Sequence, residues 1–223
     1  MLLSDCDQVK LDLVLALDGS GSVTPENFEL IREFAKNVVR LSNNEYVRIG
    51  ILQFSRDVYP EFYLNDFIET VDGKEVQNKD LMLEKLEAMQ YELGVTRTDM
   101  AIDTARQEYF TDVRGARTDV PKRLLVITDG KSTEAEMTLT AAANAKASGI
   151  HIFAVGIAMN EPEQTEELLS IASKPAELNV LQVQTFTELD EIYKKIFVFF
   201  CRGKCGFLDA FLVLEVSLVF VWG

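Results

Sequence analysis

Cysteine is nearly missing from this sequence. Among 223 residues it occurs only at Cys6, Cys201 and Cys205, with none between the first two. Histidine occurs once, at His151, inside the apolar run "IHIFAVGI", where it reads as a satisfied strand residue rather than a general base. No CxxC pair, P-loop or Rossmann glycine pattern appears. Positive charge is also short: 22 Lys and Arg stand against 36 Asp and Glu, a net charge of −14. There is no basic stripe and no aromatic–basic interleaving, so nucleic acid is excluded as a partner and an anionic lipid surface is disfavoured. An acidic surface of this kind suits cations or basic partners.

What is present is ordinary globular material. An apolar share of 48% with 26% charged residues is too hydrophobic for a disordered chain. The two cysteines that bracket the body of the chain suit a staple formed in an oxidising compartment; free thiols in a cytosolic protein are the alternative. A bridge across so long a loop would contribute on the order of 4–5 kcal/mol at most. The opening "MLLSDCDQ" is too short for a charged region plus an apolar core, so any leader is expected to have been removed, or the chain is a fragment. The closing "GFLDAFLVLEVSLVFVWG" is apolar but carries Asp209 and Glu215. It is a poor membrane span and lacks the polar spacer of a lipid-anchor signal. The expectation is a following domain cut short or sequence beyond a true exon.

Between these ends, apolar runs and helical patterns alternate. Leu11–Leu17 is a continuous apolar run broken only by Asp12, of a length that suits a buried strand. Thr24 and Pro25 then open a helix whose apolar face repeats through Phe28, Ile31, Phe34, Ala35, Val38 and Val39. Further strands are predicted at Tyr46–Ser55, Val58–Leu64, Arg123–Thr128, Ile150–Ile157 and Val180–Val183; Pro60 marks the second as an edge strand. Helices are predicted at Leu81–Met89, Thr98–Phe110, Glu134–Ser148, Glu163–Ser173 and Phe186–Phe199, the fourth from the N-terminus being closed by Gly149. This alternation predicts a doubly wound α/β sheet with helices on both faces. The reading divides the chain into a flank at 1–8, one domain at 9–200 and a C-terminal flank and tail at 201–223.

Two of the buried strands end alike, "LVLALDG" at Asp18-Gly19 and "LLVITDG" at Asp129-Gly130. Ligands of open α/β sheets bind at the carboxyl ends of the strands, where strand order reverses. Two carboxylates meeting there repel unless a proton or a cation lies between them. Ser20 and Ser22 follow Asp18 in a turn opened by Gly19 and Gly21, and Thr96 lies in the loop "LGVTRT". Two carboxylates and three hydroxyls form an all-oxygen shell. That suits a hard cation, Mg²⁺ first, with Mn²⁺ or Ca²⁺ as substitutes. Neutral hydroxyls leave such an ion electrophilic, ready for an anionic ligand from outside. An aspartate-nucleophile phosphotransferase wants a second acid where Ser20 stands, and a hydrolase elbow wants glycine where Asp18 stands, so catalysis is not expected.

"DGSGS", "GVTRTDMAI" and "VITDG", in this order, resemble the metal-ion-dependent adhesion site of von Willebrand factor type A domains. The resemblance covers about residues 9–200. It implies a six-stranded sheet with one antiparallel edge strand. It implies a cation held by Asp18, Ser20, Ser22 and Thr96, with Asp129 acting directly or through water, and Thr98 as a helix cap. Gly19, Gly21, Gly130 and Lys131 would form the rim that meets the ligand. A glutamate or aspartate of a partner would complete the shell. The bracketing Cys6 and Cys201 resemble matrilin and matrix-type collagen members of the family, while "IASKPAE" and the final helix are as similar to integrin α-type members. The resemblance implies an extracellular domain within a longer multidomain chain, binding a matrix protein such as a collagen or a cell-surface protein. An intracellular scaffold domain in a multiprotein complex is the alternative.

Overall fold

Leu11–Asp18 (β1) is buried along its whole length, Asp12 included. The charge at Asp12 is tolerated because Arg117 grips it: the Arg117 backbone N–H and Nε donate to the two carboxylate oxygens at 2.7 and 2.8 Å. The Arg117 Nη2 goes on to the carbonyls of Leu11 and Tyr46 at 2.8 and 2.9 Å. One guanidinium thus ties together the starts of two neighbouring strands.

The computed structural model describes residues 9–201. After β1 come Pro25–Leu41 (α1), Val47–Phe54 (β2), Val58–Phe62 (β3), Ile68–Val71 (β4), Lys74–Gln77 (β5), Lys79–Glu87 (α2) and Thr98–Thr104 (α3). Lys122–Thr128 (β6), Ala135–Ala147 (α4), Ile150–Ile157 (β7), Pro162–Ile171 (α5), Val180–Val183 (β8) and Leu189–Cys201 (α6) follow. The main sheet runs β3-β2-β1-β6-β7-β8. All neighbours are parallel except the edge pair β2–β3. This is the doubly wound sheet with one antiparallel edge strand that the sequence predicts. Alternate residues of the inner strands feed two cores. Leu13, Leu15 and Leu17 pack with α1 and α6, including Leu189, Ile192 and Ile196, while Val14 and Ala16 pack with α3 and α4.

Several boundaries differ from expectation. The second helix starts at Lys79 because Asn78 caps it, accepting from the backbones of Asp80 and Leu81 at 3.1 and 3.2 Å. Phe186–Glu188 is a 3₁₀ turn ahead of α6 rather than its first turn. The Thr98–Phe110 helix is α-helical only to Thr104 and continues as a π turn over Ala105–Tyr109. The hairpin β4–β5 went unpredicted, although its Asp72-Gly73 turn, with φ of 50° and 77°, is a recognisable signal. Cys6, Cys205 and the tail lie outside the described residues, and so does a pairing of Cys6 with Cys201.

Candidate metal centre

The order of the sheet answers why a buried strand ends in a charge. From β1 the chain steps to β2 on one side, and later to β6 on the other. Strand order therefore reverses at β1, and the carboxyl ends of β1 and β6 lie side by side. Asp18 closes β1 and is wholly buried. Asp129 follows the last residue of β6.

A chain of hydrogen bonds connects them. The Ser20 backbone N–H donates to Asp18 Oδ1 at 2.8 Å. Ser20 Oγ and Ser22 Oγ stand 3.1 Å apart. Ser22 Oγ donates to Asp129 Oδ1 at 2.7 Å. Thr128 Oγ1 donates to Asp18 Oδ2 at 2.6 Å from the end of β6. Burial pushes the Asp18 carboxyl up to about 6, against the pull of the Thr128 and Ser20 hydrogen bonds and with a small added push from Asp129. Burial also raises Asp129, which the bond from Ser22 opposes. Two acids whose anionic forms are both disfavoured by their surroundings are what a cation between them would relieve.

Three loops enclose this chain and are bolted to one another. The Gly21 N–H donates to the Gly94 carbonyl at 2.8 Å, joining the first loop to the second. The Thr133 N–H donates to the Thr96 carbonyl at 2.8 Å, and the Thr96 N–H donates to Thr133 Oγ1 at 3.1 Å, joining the second to the third. The Ser22–Asp129 bond joins the third to the first. Tyr91 adds a brace, its hydroxyl donating to the Ser20 carbonyl at 2.8 Å.

The structure thus links Asp18, Ser20, Ser22 and Asp129 directly. Thr96 reaches them through backbone bonds of its loop, and its side chain makes no hydrogen bond to the other four. Gly21 and Lys131 are exposed, and Lys131 has no ion pair among the described residues. Gly130 is half-buried, and a Cβ placed on it would stand 4.0 Å from Ser22 Oγ. Gly19, expected on the rim, is buried instead. It lacks a side chain because a Cβ there would come within 2.9 Å of Gln53 Cδ. The Thr98 expectation also fails: the capping position is Arg97, and the buried Thr98 hydroxyl has no hydrogen-bond partner.

Sequence reasoning missed the braces. Gln53 is fully buried under the first loop. With its amide turned to satisfy its neighbours, it donates to the Gln90 carbonyl and accepts from the Glu92 N–H, both at 2.7 Å. A polar residue in the apolar run "GILQFS" was the available signal. Thr128, Thr133 and Tyr91 carry none, because each acts through a partner distant in sequence.

The donor set fits a hard divalent cation. Such an ion takes carboxylate and neutral oxygen donors, and Asp18, Asp129 and the Ser20 and Ser22 hydroxyls would supply both kinds. Among the described residues no group of three His, Cys, Asp or Glu side chains offers a softer or more anionic site.

Fold and loops together place the chain in a known family. The family model for the von Willebrand factor type A domain matches residues 12–195, and the chain belongs to that family. It is similar to Matrilin-4 of Mus musculus, 34% identical over 196 residues, covering 86% of this chain and 29% of that protein. It is also similar to Integrin alpha-1 of Gallus gallus, 32% identical over 185 residues, covering 79% of this chain and 61% of the other. The chain spans between 19% and 42% of the length of the matrilins it matches. Among solved structures it resembles proximal thread matrix protein 1 from the mussel byssus, with a TM-score of 0.76 and 25% identity, covering 87% of this chain and 49% of that one. A structure of the same mussel protein with a zinc-occupied MIDAS motif matches with a TM-score of 0.75, covering 87% and 48%.

Proposed function

We propose that this domain is a cation-dependent adhesion module of the extracellular space, not an enzyme. It holds Mg²⁺ through Asp18, Ser20, Ser22, Thr96 and Asp129, and binds a partner protein by a single acidic side chain. The ion supplies an electrophilic point for that carboxylate. The chain's own residues do the rest. Asp18 and Asp129 furnish the negative charge, and the hydroxyls furnish neutral donors that leave the ion short of anions. The bolted loops hold these oxygens in place before the partner arrives.

The observation that carries this reading is the bonded run from Asp18 through Ser20 and Ser22 to Asp129, at the point where strand order reverses. Matrix and cell-surface relatives support the extracellular assignment and an extracellular protein partner in general; a collagen or a cell-surface protein is the partner we propose. The zinc-occupied motif of the mussel protein supports a divalent ion.

The test is binding of the full chain to an immobilised panel of collagens and other matrix proteins, in Mg²⁺ and then in EDTA. Binding lost in EDTA, and lost again in Asp129→Ala, is the expected result. Binding that survives EDTA means that another face makes the contact. Binding to no member of the panel sets aside the matrix partner.

A further inference from the structure

Glu167 lies on α5, outside every motif of the metal site, yet one residue of the third loop takes both of its carboxylate oxygens. The Ser132 N–H donates to Oε1 at 2.9 Å and the Ser132 hydroxyl donates to Oε2 at 2.8 Å. Ser132 is itself buried. Its neighbour Thr133 makes the two-bond clasp with Thr96. Three residues earlier stands Asp129. The loop between β6 and α4 is therefore held to α5 at its middle, with one candidate ligand on the loop itself and another clasped by it.

The post to which it is held is rigid. Leu168 of α5 is buried against β7, where Gly156 has no room for a side chain: a Cβ there would meet Leu168 Cδ2 at 2.7 Å. The far end of α5 is pinned by Lys146, whose Nζ donates to the carbonyls of Ser170, Ile171 and Ala172 at 2.9, 3.3 and 3.3 Å. Bonds to a charged acceptor are the stronger kind, and a bidentate pair also fixes orientation.

We propose that Glu167 is a positioning residue for the cation site, resting on the reading of that site given above. It pins the β6–α4 loop to α5 so that Asp129 and Thr96 stand at the separation the ion needs. Without it, the loop keeps its sequence but loses its one side-chain anchor to α5, and each bound ion must order the loop afresh. Partners of this outer kind typically change metal affinity about 10–100-fold when removed.

Position and charge can be told apart. In Glu167→Gln the amide oxygen still accepts from the Ser132 N–H, and the amide nitrogen donates to the Ser132 hydroxyl, which rotates to accept. The geometry survives and the charge does not. The experiment is a Mn²⁺ titration of the full chain by calorimetry, with Asp18→Ala, Glu167→Ala, Glu167→Gln, Ser132→Ala and the Glu167→Ala/Ser132→Ala pair, and thermal midpoints measured alongside. Asp18→Ala should abolish binding. Glu167→Ala should weaken it about tenfold or more, with Glu167→Gln close to the parent. The double variant should be no weaker than Glu167→Ala alone, since the two residues act through one contact.

If Glu167→Ala binds Mn²⁺ like the parent while Asp18→Ala does not bind, the inference is wrong and the site stands. If Glu167→Gln is as weak as Glu167→Ala, charge acts rather than position, and the inference is again wrong. If Asp18→Ala leaves binding unchanged, the reading of the site falls and takes the inference with it. Should Glu167→Ala not fold, Glu167→Gln and Ser132→Ala decide: the parent's affinity in the first with a measurable loss in the second, smaller than tenfold because the backbone N–H of residue 132 still donates to Oε1, supports positioning, and any other pattern refutes it.

Discussion

Ser22 Oγ donates to Asp129 Oδ1 at 2.7 Å, a bond between residues from two loops more than a hundred positions apart. It closes the ring of contacts among the three loops and spends the serine's proton on the aspartate, so that the Ser22 oxygen accepts from Ser20 and keeps a lone pair for a cation. Removing it both deletes a donor atom and lets Asp129 turn. Ser22→Ala should therefore weaken Mn²⁺ affinity by about tenfold or more, with little change in thermal midpoint because Ser22 is exposed. Calorimetric titration reads the first effect and a circular-dichroism melt the second. An unchanged affinity would remove Ser22 from the ligand set.

Asp12 and Arg117 make the opposite kind of pair, structural and remote from the site. Asp12 is fully buried, and burial outweighs the Arg117 guanidinium, so its carboxyl stands above the ordinary value. Arg117→Ala leaves that carboxyl only the backbone N–H of residue 117 and takes the guanidinium from the carbonyls of Leu11 and Tyr46. The expected loss is about 3 kcal/mol, read as a lower urea midpoint. Pairing the change with Asp12→Asn should recover part of it, because a neutral amide costs less to bury than an unpaired charge.

Gly19 is sterically required. Gly19→Ala drives a methyl into the buried Gln53 amide, which then releases Gln90 and Glu92. A loss of about 1–3 kcal/mol is expected from the overpacking, and a weaker cation site with it, since residues 90–92 lead into the Thr96 loop. Denaturation and Mn²⁺ titration of the one variant should fall together. A stable Gly19→Ala with full affinity contradicts the role given to Gln53.

His151 makes stability depend on pH. Burial holds its folded pKa below the ordinary 6.5, Arg123 adds repulsion, and the bond to Asn179 only partly offsets them. The Asn179 amide nitrogen already donates to the carbonyls of Ser173 and Pro175, so its oxygen accepts and His151 Nε2 carries the proton at 2.8 Å. Below about pH 6.5 the unfolded chain takes up a proton that the native state resists. The contribution of His151 is thus full above 6.5 and falls as pH drops towards the depressed folded value. Urea midpoints at pH 7.5 and 5.5 should show a smaller acid loss in His151→Gln than in the parent. Equal losses would assign the acid sensitivity to other groups.

The main sheet, its helices and the five proposed ligands were all legible in the sequence, for a local reason. Buried parallel strands are mostly apolar, and β1 and the strand before Asp129 give way to an Asp-Gly pair, so Asp18 and Asp129 announce both the strand ends and the site. The D-x-S-x-S spacing and the threonine loop are local as well. The β4–β5 hairpin was present as an Asp-Gly turn, but its short strands alternate weakly and five of their eight residues are exposed.

What the tertiary structure alone decided is how these residues are held. Gln53 beneath Gly19, Thr128 on Asp18, Thr133 on Thr96, Glu167 on Ser132 and Arg117 on Asp12 are all contacts between elements that only the packed sheet brings together. Each pairs a polar group with a partner whose distance along the chain leaves no periodicity or spacing to read. Whether a buried aspartate is matched by an arginine, a hydroxyl or a cation depends on which strand lies beside it, and that order exists only once the sheet has formed.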